Sequence, residues 1–132
     1  MDRLMKSNKI IAKKFNNLKG FAKKNKNKYL TSKPFPHIVL DNFFDIKYLN
    51  EILEIFPDLT MLNKTQKYSN KNEIKLANNN IANYPKKIKN FINFLNSKKF
   101  LNFLQEITSI KENLVSDRLL SGGGLHEIKR GG

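Results

Sequence analysis

The chain has 132 residues, 39% of them hydrophobic, and a formal net charge of +14 at pH 7. It has no cysteine, which excludes disulfides and thiolate metal sites. No apolar run approaches the roughly 18 residues of a membrane-spanning helix, and no secretory-signal segment follows the basic N-terminus, so we expect one domain or less in the cytoplasm.

The positive charge is concentrated in a leader, residues 1–33, with eleven Lys or Arg and one acid, whereas residues 34–132 have fourteen Lys or Arg and ten acids. Because Lys, Asn and Ile all have AT-rich codons, codon bias is one explanation of the charge. Apolar residues recur in the leader at roughly helical spacing: Leu4, Ile11, Phe15, Leu18, Phe21 and Ala22. The pattern is typical of a solvated, partly helical or disordered extension, and also of a basic amphipathic helix that binds nucleic acid or anionic membrane.

The next segment, residues 34–56, predicts an extended entrance, a strand and a helix. Residues 38–40 (IVL) predict a short buried strand, and Asp45 is a suitable N-cap for a helix over about residues 45–56. We expect Phe35, Phe43 and Phe44 to lie in the core. The predicted apolar face of the helix comprises Ile46, Leu49, Ile52, Leu53 and Phe56.

Residues 58–84 are polar and predict a long loop, with or without one short strand. Two helices are predicted next. One runs from Pro85 to a break at Asn96, and the other covers about residues 98–108 and is capped by Ser97. Their predicted apolar stripes are Ile88, Phe91, Ile92 and Leu95, and Phe100, Leu101, Leu104 and Ile107. Residues 117–120 predict the start of a strand region, and 122–124 a turn into a final strand. This order predicts an α+β fold with helices outside a sheet.

The segment SGGGLHEIKRGG, residues 121–132, holds five of the six glycines. It lacks the spacing of a phosphate-binding loop. His126 and Glu127 are adjacent and should point to opposite faces of a strand, so they cannot share a metal ion. We therefore assign no catalytic residue and no metal ligand within this chain.

From Pro34 onward the sequence resembles the 2-oxoglutarate/Fe(II)-dependent oxygenases of the prolyl 4-hydroxylase-like superfamily. The segments that carry the resemblance are PFPHIVLDNFF at 34–44, IFPDL at 55–59, EIKLA at 73–77, FLNSKKFLNFLQEITSI at 94–110 and SGGGLHEIKRGG at 121–132. The resemblance implies that residues 34–132 are the N-terminal part of an oxygenase domain. Its fold would be helices packed on the first strands of an incomplete double-stranded β-helix, or jelly roll.

The resemblance also implies Fe(II) and 2-oxoglutarate as cofactors. In such enzymes a His-x-Asp pair and a later His hold the iron, and a basic residue binds 2-oxoglutarate. The sequence lacks the iron-binding triad and, with it, the basic residue near the second His, so we expect a truncated dioxygenase, inactive alone, whose parent hydroxylates a C–H bond of a peptide or small molecule. Ile128 occupies a position where relatives often have a tyrosine that contacts 2-oxoglutarate.

His126 and Arg130 are the substrate-side candidates that follow from the resemblance. His126 would line the mouth of the barrel, or else be a structural residue bonded to neighbouring backbone. Arg130 would pair with an acidic substrate, or lie in a solvated turn. Two other classes remain open: a non-catalytic basic module that binds nucleic acid or anionic membrane through residues 1–33, and an assembly protein that pairs through an open sheet edge.

Overall fold

The structure is a computed structural model that describes residues 10–131. Within that range the chain forms four α-helices and one three-stranded antiparallel sheet, which confirms the predicted α+β class. The elements are α1 Leu18–Thr31, α2 Ile46–Glu54, β1 Gln66–Ser69, β2 Ile74–Asn78, α3 Lys86–Leu95, α4 Lys98–Thr108 and β3 Leu125–Ile128. None of the helices so described is long and apolar enough to cross a bilayer.

Capping side chains fix where the helices begin. Asp45 accepts a hydrogen bond from the N–H of Tyr48 at 2.9 Å, and Ser97 accepts one from Phe100 at 3.3 Å. Each cap satisfies a backbone donor that has no partner within its helix. The helices predicted at about 45–56, 85–96 and 98–108 are confirmed as α2, α3 and α4, with ends within two residues of the predicted ones, although α3 begins without a side-chain cap.

The first core lies between α1 and α4, which are packed along one another. Phe43 stacks on Phe103 with ring centroids 5.7 Å apart, and Phe21 lies 6.5 Å from the same ring. The helical part of the leader therefore belongs to this core, whereas Leu4 lies outside the described residues. The buried members of the core are Ile10, Ile11, Phe15, Leu18, Ala22, Phe43, Tyr48, Phe94, Phe103 and Ile107.

The second core lies under one face of the sheet. Strand order is β1-β2-β3, and Leu76 pairs with Glu127 while Asn78 pairs with Leu125. Because side chains alternate along a strand, Leu76, Asn78 and Leu125 point to the same covered face. Helix α3 covers that face through Ile88. The buried apolar members are Leu59, Leu76, Tyr84, Ile88, Leu120 and Leu125.

Three predictions of local structure are wrong. Residues 38–40 do not form a strand, since only Ile11 and Phe44 make an isolated bridge nearby, and Val39 is 73% exposed. Residues 58–84 are not one long loop, because they contain the β1–β2 hairpin. Residues 117–120 form a turn rather than the start of a strand.

Some predicted core positions are also wrong. Phe35 is exposed, whereas Phe43 is buried and Phe44 packs against the first core. On α2, Tyr48 is the buried residue, and the predicted apolar face is turned largely outward, with Leu53 74% exposed. The helical period identifies which apolar side chains share a face, but that face is buried only where another segment packs against it.

Candidate functional site

A pocket of about 390 Å³ opens on the uncovered face of the sheet. Two cross-strand rows form this face: Gln66, Ala77 and His126 in one, and Tyr68, Lys75 and Ile128 in the next. All of these side chains point away from the second core because they alternate with its buried residues. The pocket combines an ammonium, an imidazole, a phenol and side-chain amides.

Two of these polar groups are already paired with each other. The Tyr68 hydroxyl donates a 2.6 Å hydrogen bond to the side-chain carbonyl oxygen of Gln66. No hydrogen bond from Lys75 or His126 side chains is found within the described part of the chain. Lys75 and His126 are therefore two of the pocket groups available to a ligand.

The glycine-rich segment forms the rim of the pocket and is held by Asp117. The Asp117 carboxylate accepts hydrogen bonds from the N–H groups of Gly122 at 3.1 Å and Ser121 at 2.9 Å. These bonds lower the pKa of Asp117 below its ordinary value of 3.8. Asp117 is itself positioned by Asn96, whose side-chain oxygen accepts a 2.7 Å bond from the Asp117 N–H.

Tyr84 fixes the start of β3 against the end of β2. Its buried hydroxyl accepts a 3.2 Å bond from the N–H of Leu125 and donates to the backbone oxygen of Asn78. Burial raises the pKa of Tyr84 above 10.0, with a smaller opposing contribution from the Leu125 N–H. The Asn78 side chain donates in turn to Asn63 and Thr65 at 2.9 and 2.8 Å, so buried polar groups hold the strand ends together.

Close backbone approach explains one glycine of the segment. Gly124 has a φ of 148°, and a Cβ there would lie 2.5 Å from the backbone oxygen of Asn78. A side chain at this position would push β3 away from β2. Gly124 therefore allows the sheet, and with it the position of His126, to form.

The two predicted substrate-side residues occupy different places. His126 lies on the open face and lines the pocket. Arg130 is exposed in the turn after β3 and is outside the pocket lining. Glu127 lies on the opposite face from His126, as predicted, and its carboxylate accepts a hydrogen bond from the Lys129 ammonium. This hydrogen bond is the main reason why the pKa of Lys129 is raised.

Gln66 and Tyr68 line the pocket although the sequence predicts a loop at both positions. The signal that was available is the short polar turn that follows them. Asn70 accepts a 2.8 Å bond from the N–H of Asn72, and the Asn70 N–H donates to Glu73, which closes the hairpin. Asparagine in such turns favours this local bonding.

The residues present do not fit an iron site. His126 is the only imidazole that lines the pocket, and no carboxylate lines it. Throughout residues 10–131, no three side chains of the metal-binding types come together. An octahedral iron held on one face needs two imidazoles and a carboxylate, which this face does not supply.

Comparisons with known proteins assign no family to the chain. No protein-family model, curated protein or solved structure matches it. The function must therefore be inferred from the sequence resemblance and from the chemistry of the sheet.

Proposed function

We propose that residues 34–131 form the helical layer and first strands of a 2-oxoglutarate- and Fe(II)-dependent oxygenase domain. The observation that carries the proposal is the two-faced antiparallel sheet. One face packs on helices and the other presents Tyr68, Lys75 and His126 in a pocket. In a double-stranded β-helix, a second sheet faces the first, and the reaction takes place between them.

The exposed apolar surface of α2 supports the same proposal. Ile46 and Leu53 are seven residues apart on one side of the helix, and both are largely exposed. Surface of this kind is usually covered by a partner or by further chain. The outer edges of β1 and β3 are unpaired within the described residues, so further strands could extend the sheet from either side.

The role assigned to the pocket is substrate binding, not metal binding. When bound, Fe(II) and 2-oxoglutarate supply the oxidant that hydroxylates a C–H bond. The ligands for both would come from a His-x-Asp pair, a later His and a basic residue near that His; this chain contains no His-x-Asp pair. His126 and Lys75 would orient a polar substrate on the wall opposite these ligands. Arg130 would contact the substrate only if its turn moves toward the pocket.

The coding sequence that follows Gly132 tests this proposal. We expect it to encode, in frame, a His-x-Asp pair within a few residues and a second His further on. Protein made from that whole reading frame should release succinate from 2-oxoglutarate when Fe(II) is supplied, and replacement of the first of these His residues by Ala should abolish the release. A reading frame without the motif would overturn the proposal.

The 132-residue chain is the matched control for that assay. We expect it to release no succinate with Fe(II) and 2-oxoglutarate, because the described residues provide no set of three ligands. Iron-dependent succinate release from the short chain would show that the iron ligands have been wrongly assigned.

A further inference from the structure

A strongly basic surface lies on the helices of the first core, away from the pocket. Residues 10–33 contain eight lysines and no acid. Helix α1 carries five of these lysines, and its buried residues are Leu18 and Ala22. Since the apolar side of α1 is occupied by the core, its lysines are directed toward solvent and toward the flank of α4.

Three of the α1 lysines form one row. Lys19, Lys23 and Lys26 are spaced i, i+4 and i+7, so they follow one side of the helix over about 10 Å. Lys26 lies 3.7 Å from Glu106 of α4, which places this row on the α4 side. It is the only α1 lysine with an ion pair among residues 10–131.

Helix α4 contributes the second wall of a groove. A cavity of about 530 Å³ lies beside the contact between these helices, lined by Lys19 near the start of α1 and by Lys99 in the first turn of α4. Lys98 is also exposed in the first turn of α4. The remaining polar lining consists of four side-chain amides and one carboxylate, that of Glu106, which is paired with Lys26: Asn16, Asn17, Asn102, Gln105 and Glu106.

We propose that this groove binds the phosphate backbone of double-stranded nucleic acid. Lysines on two walls match the closely spaced charges of a duplex, and the side-chain amides of Asn16, Asn17 and Asn102 can donate hydrogen bonds to phosphate oxygens, whereas that of Gln105 already donates to Ile110 and Glu112. Exposed aromatic rings, which single-stranded nucleic acid needs for stacking, are missing from the groove lining, where Phe103 is buried. Binding is therefore sequence-independent. This proposal does not depend on the oxygenase proposal.

Membrane binding is the weaker match to the same surface. A helix that lies in a bilayer inserts its apolar side, but Phe21 of α1 packs on Phe15 at 5.2 Å, and Leu18 and Ala22 are buried. Leu30, 43% exposed, is the one large apolar side chain that α1 exposes. The surface thus has charge for a polyanion but little apolar area for lipid.

The test is fluorescence anisotropy of a labelled DNA duplex titrated with the full chain at several salt concentrations. The groove variant is Lys19→Gln, Lys23→Gln and Lys99→Gln combined. The matched control, Lys47→Gln, Lys71→Gln and Lys111→Gln combined, changes the net charge equally at exposed positions outside the groove. Far-UV circular dichroism should be the same for all three proteins, since each replaced side chain is solvent-exposed.

We expect the groove variant to bind the duplex at least about tenfold more weakly. Its slope of log affinity against log salt should fall by about two to three, close to one for each phosphate that the variant no longer neutralises. The control should stay within about threefold of the parent and keep its slope. Equal losses in both variants, or no duplex binding by the parent, would overturn the proposal. So would tighter binding to vesicles of equimolar phosphatidylcholine and phosphatidylserine than to the duplex.

Discussion

The buried hydroxyl of Tyr84 makes a prediction that can be worked out from the structure. Tyr84 follows the turn after β2, and its ring lies in the second core. The hydroxyl accepts from the Leu125 N–H at 3.2 Å and donates to the Asn78 backbone oxygen. Tyr84→Phe keeps the ring in place and removes both bonds.

The expected loss of unfolding free energy is about 2–3 kcal/mol. Each hydrogen bond contributes about 1 kcal/mol net, and a buried donor or acceptor left without a partner costs about 1–3 kcal/mol. The Leu125 N–H would be such a donor, because β3 begins there with a residue that is buried in the second core. The Asn78 oxygen would lose a strong donor at the same point. The variant should therefore loosen the β2–β3 pairing before it affects the helices.

Urea unfolding followed by far-UV circular dichroism measures this loss. Tyr68→Phe is the matched control, because its exposed hydroxyl bonds only the side chain of Gln66, and we expect a change within about 0.5 kcal/mol. A Tyr84→Phe protein as stable as the control would refute the reasoning, since it would mean that the two bonds contribute nothing.

The pH dependence of stability provides a second measurement on the same variant. Burial raises the pKa of Tyr84 above 10.0, so in alkali the unfolded state loses its proton first. The contribution of this group to the unfolding free energy is fully present below pH 10, and it is lost as the pH rises through the folded-state pKa. Burial also raises the pKa of Tyr48. Tyr84→Phe should therefore reduce, but not abolish, the alkaline fall in the unfolding free energy.

Two further predictions concern packing. Gly124→Ala should destabilise the protein by roughly 1–3 kcal/mol, because a Cβ would meet a β2 backbone oxygen at 2.5 Å, whereas Gly123→Ala, with open space around it, should be close to neutral in the same urea assay. Leu59→Ala should cost about 2–5 kcal/mol because Leu59 is 0% exposed, whereas Leu53→Ala, at a 74% exposed position, should stay within about 0.5 kcal/mol. A large cost at Leu53, measured by the same unfolding curves at several protein concentrations, would show that another molecule covers α2.

Helices were more predictable from this sequence than strands. The apolar spacing and the caps at Asp45 and Ser97 located three helices within one or two residues of their ends. The hairpin at β1 and β2 was missed because β1 is exposed throughout, so its sequence QKYS has no alternation of apolar and polar residues to detect. At residues 38–40 the apolar run predicts a strand, but these residues form none, because no neighbouring strand pairs with them.

Burial was less predictable than secondary structure, and the reason is geometric. The period of a helix identifies side chains on one face, but only packing decides whether that face is covered. On α4 the most buried ring is Phe103, which lies against Phe21 and Phe43 from segments far away in sequence. On α2 the predicted face is instead largely exposed. Both outcomes depend on contacts between distant segments, which periodicity does not encode.

The glycine-rich segment limits what the pocket can recognise. Three backbone N–H groups at its start are already used, since Ser121 and Gly122 donate to Asp117, and Gly123 donates to the backbone oxygen of Leu120 at 3.3 Å. These three groups are therefore not free to cradle an anion, in agreement with the lack of phosphate-loop spacing. Recognition on the open face must come from side chains. Because the Tyr68 hydroxyl is hydrogen-bonded to Gln66, we expect Lys75 and His126 to contribute most to binding a ligand on the open face.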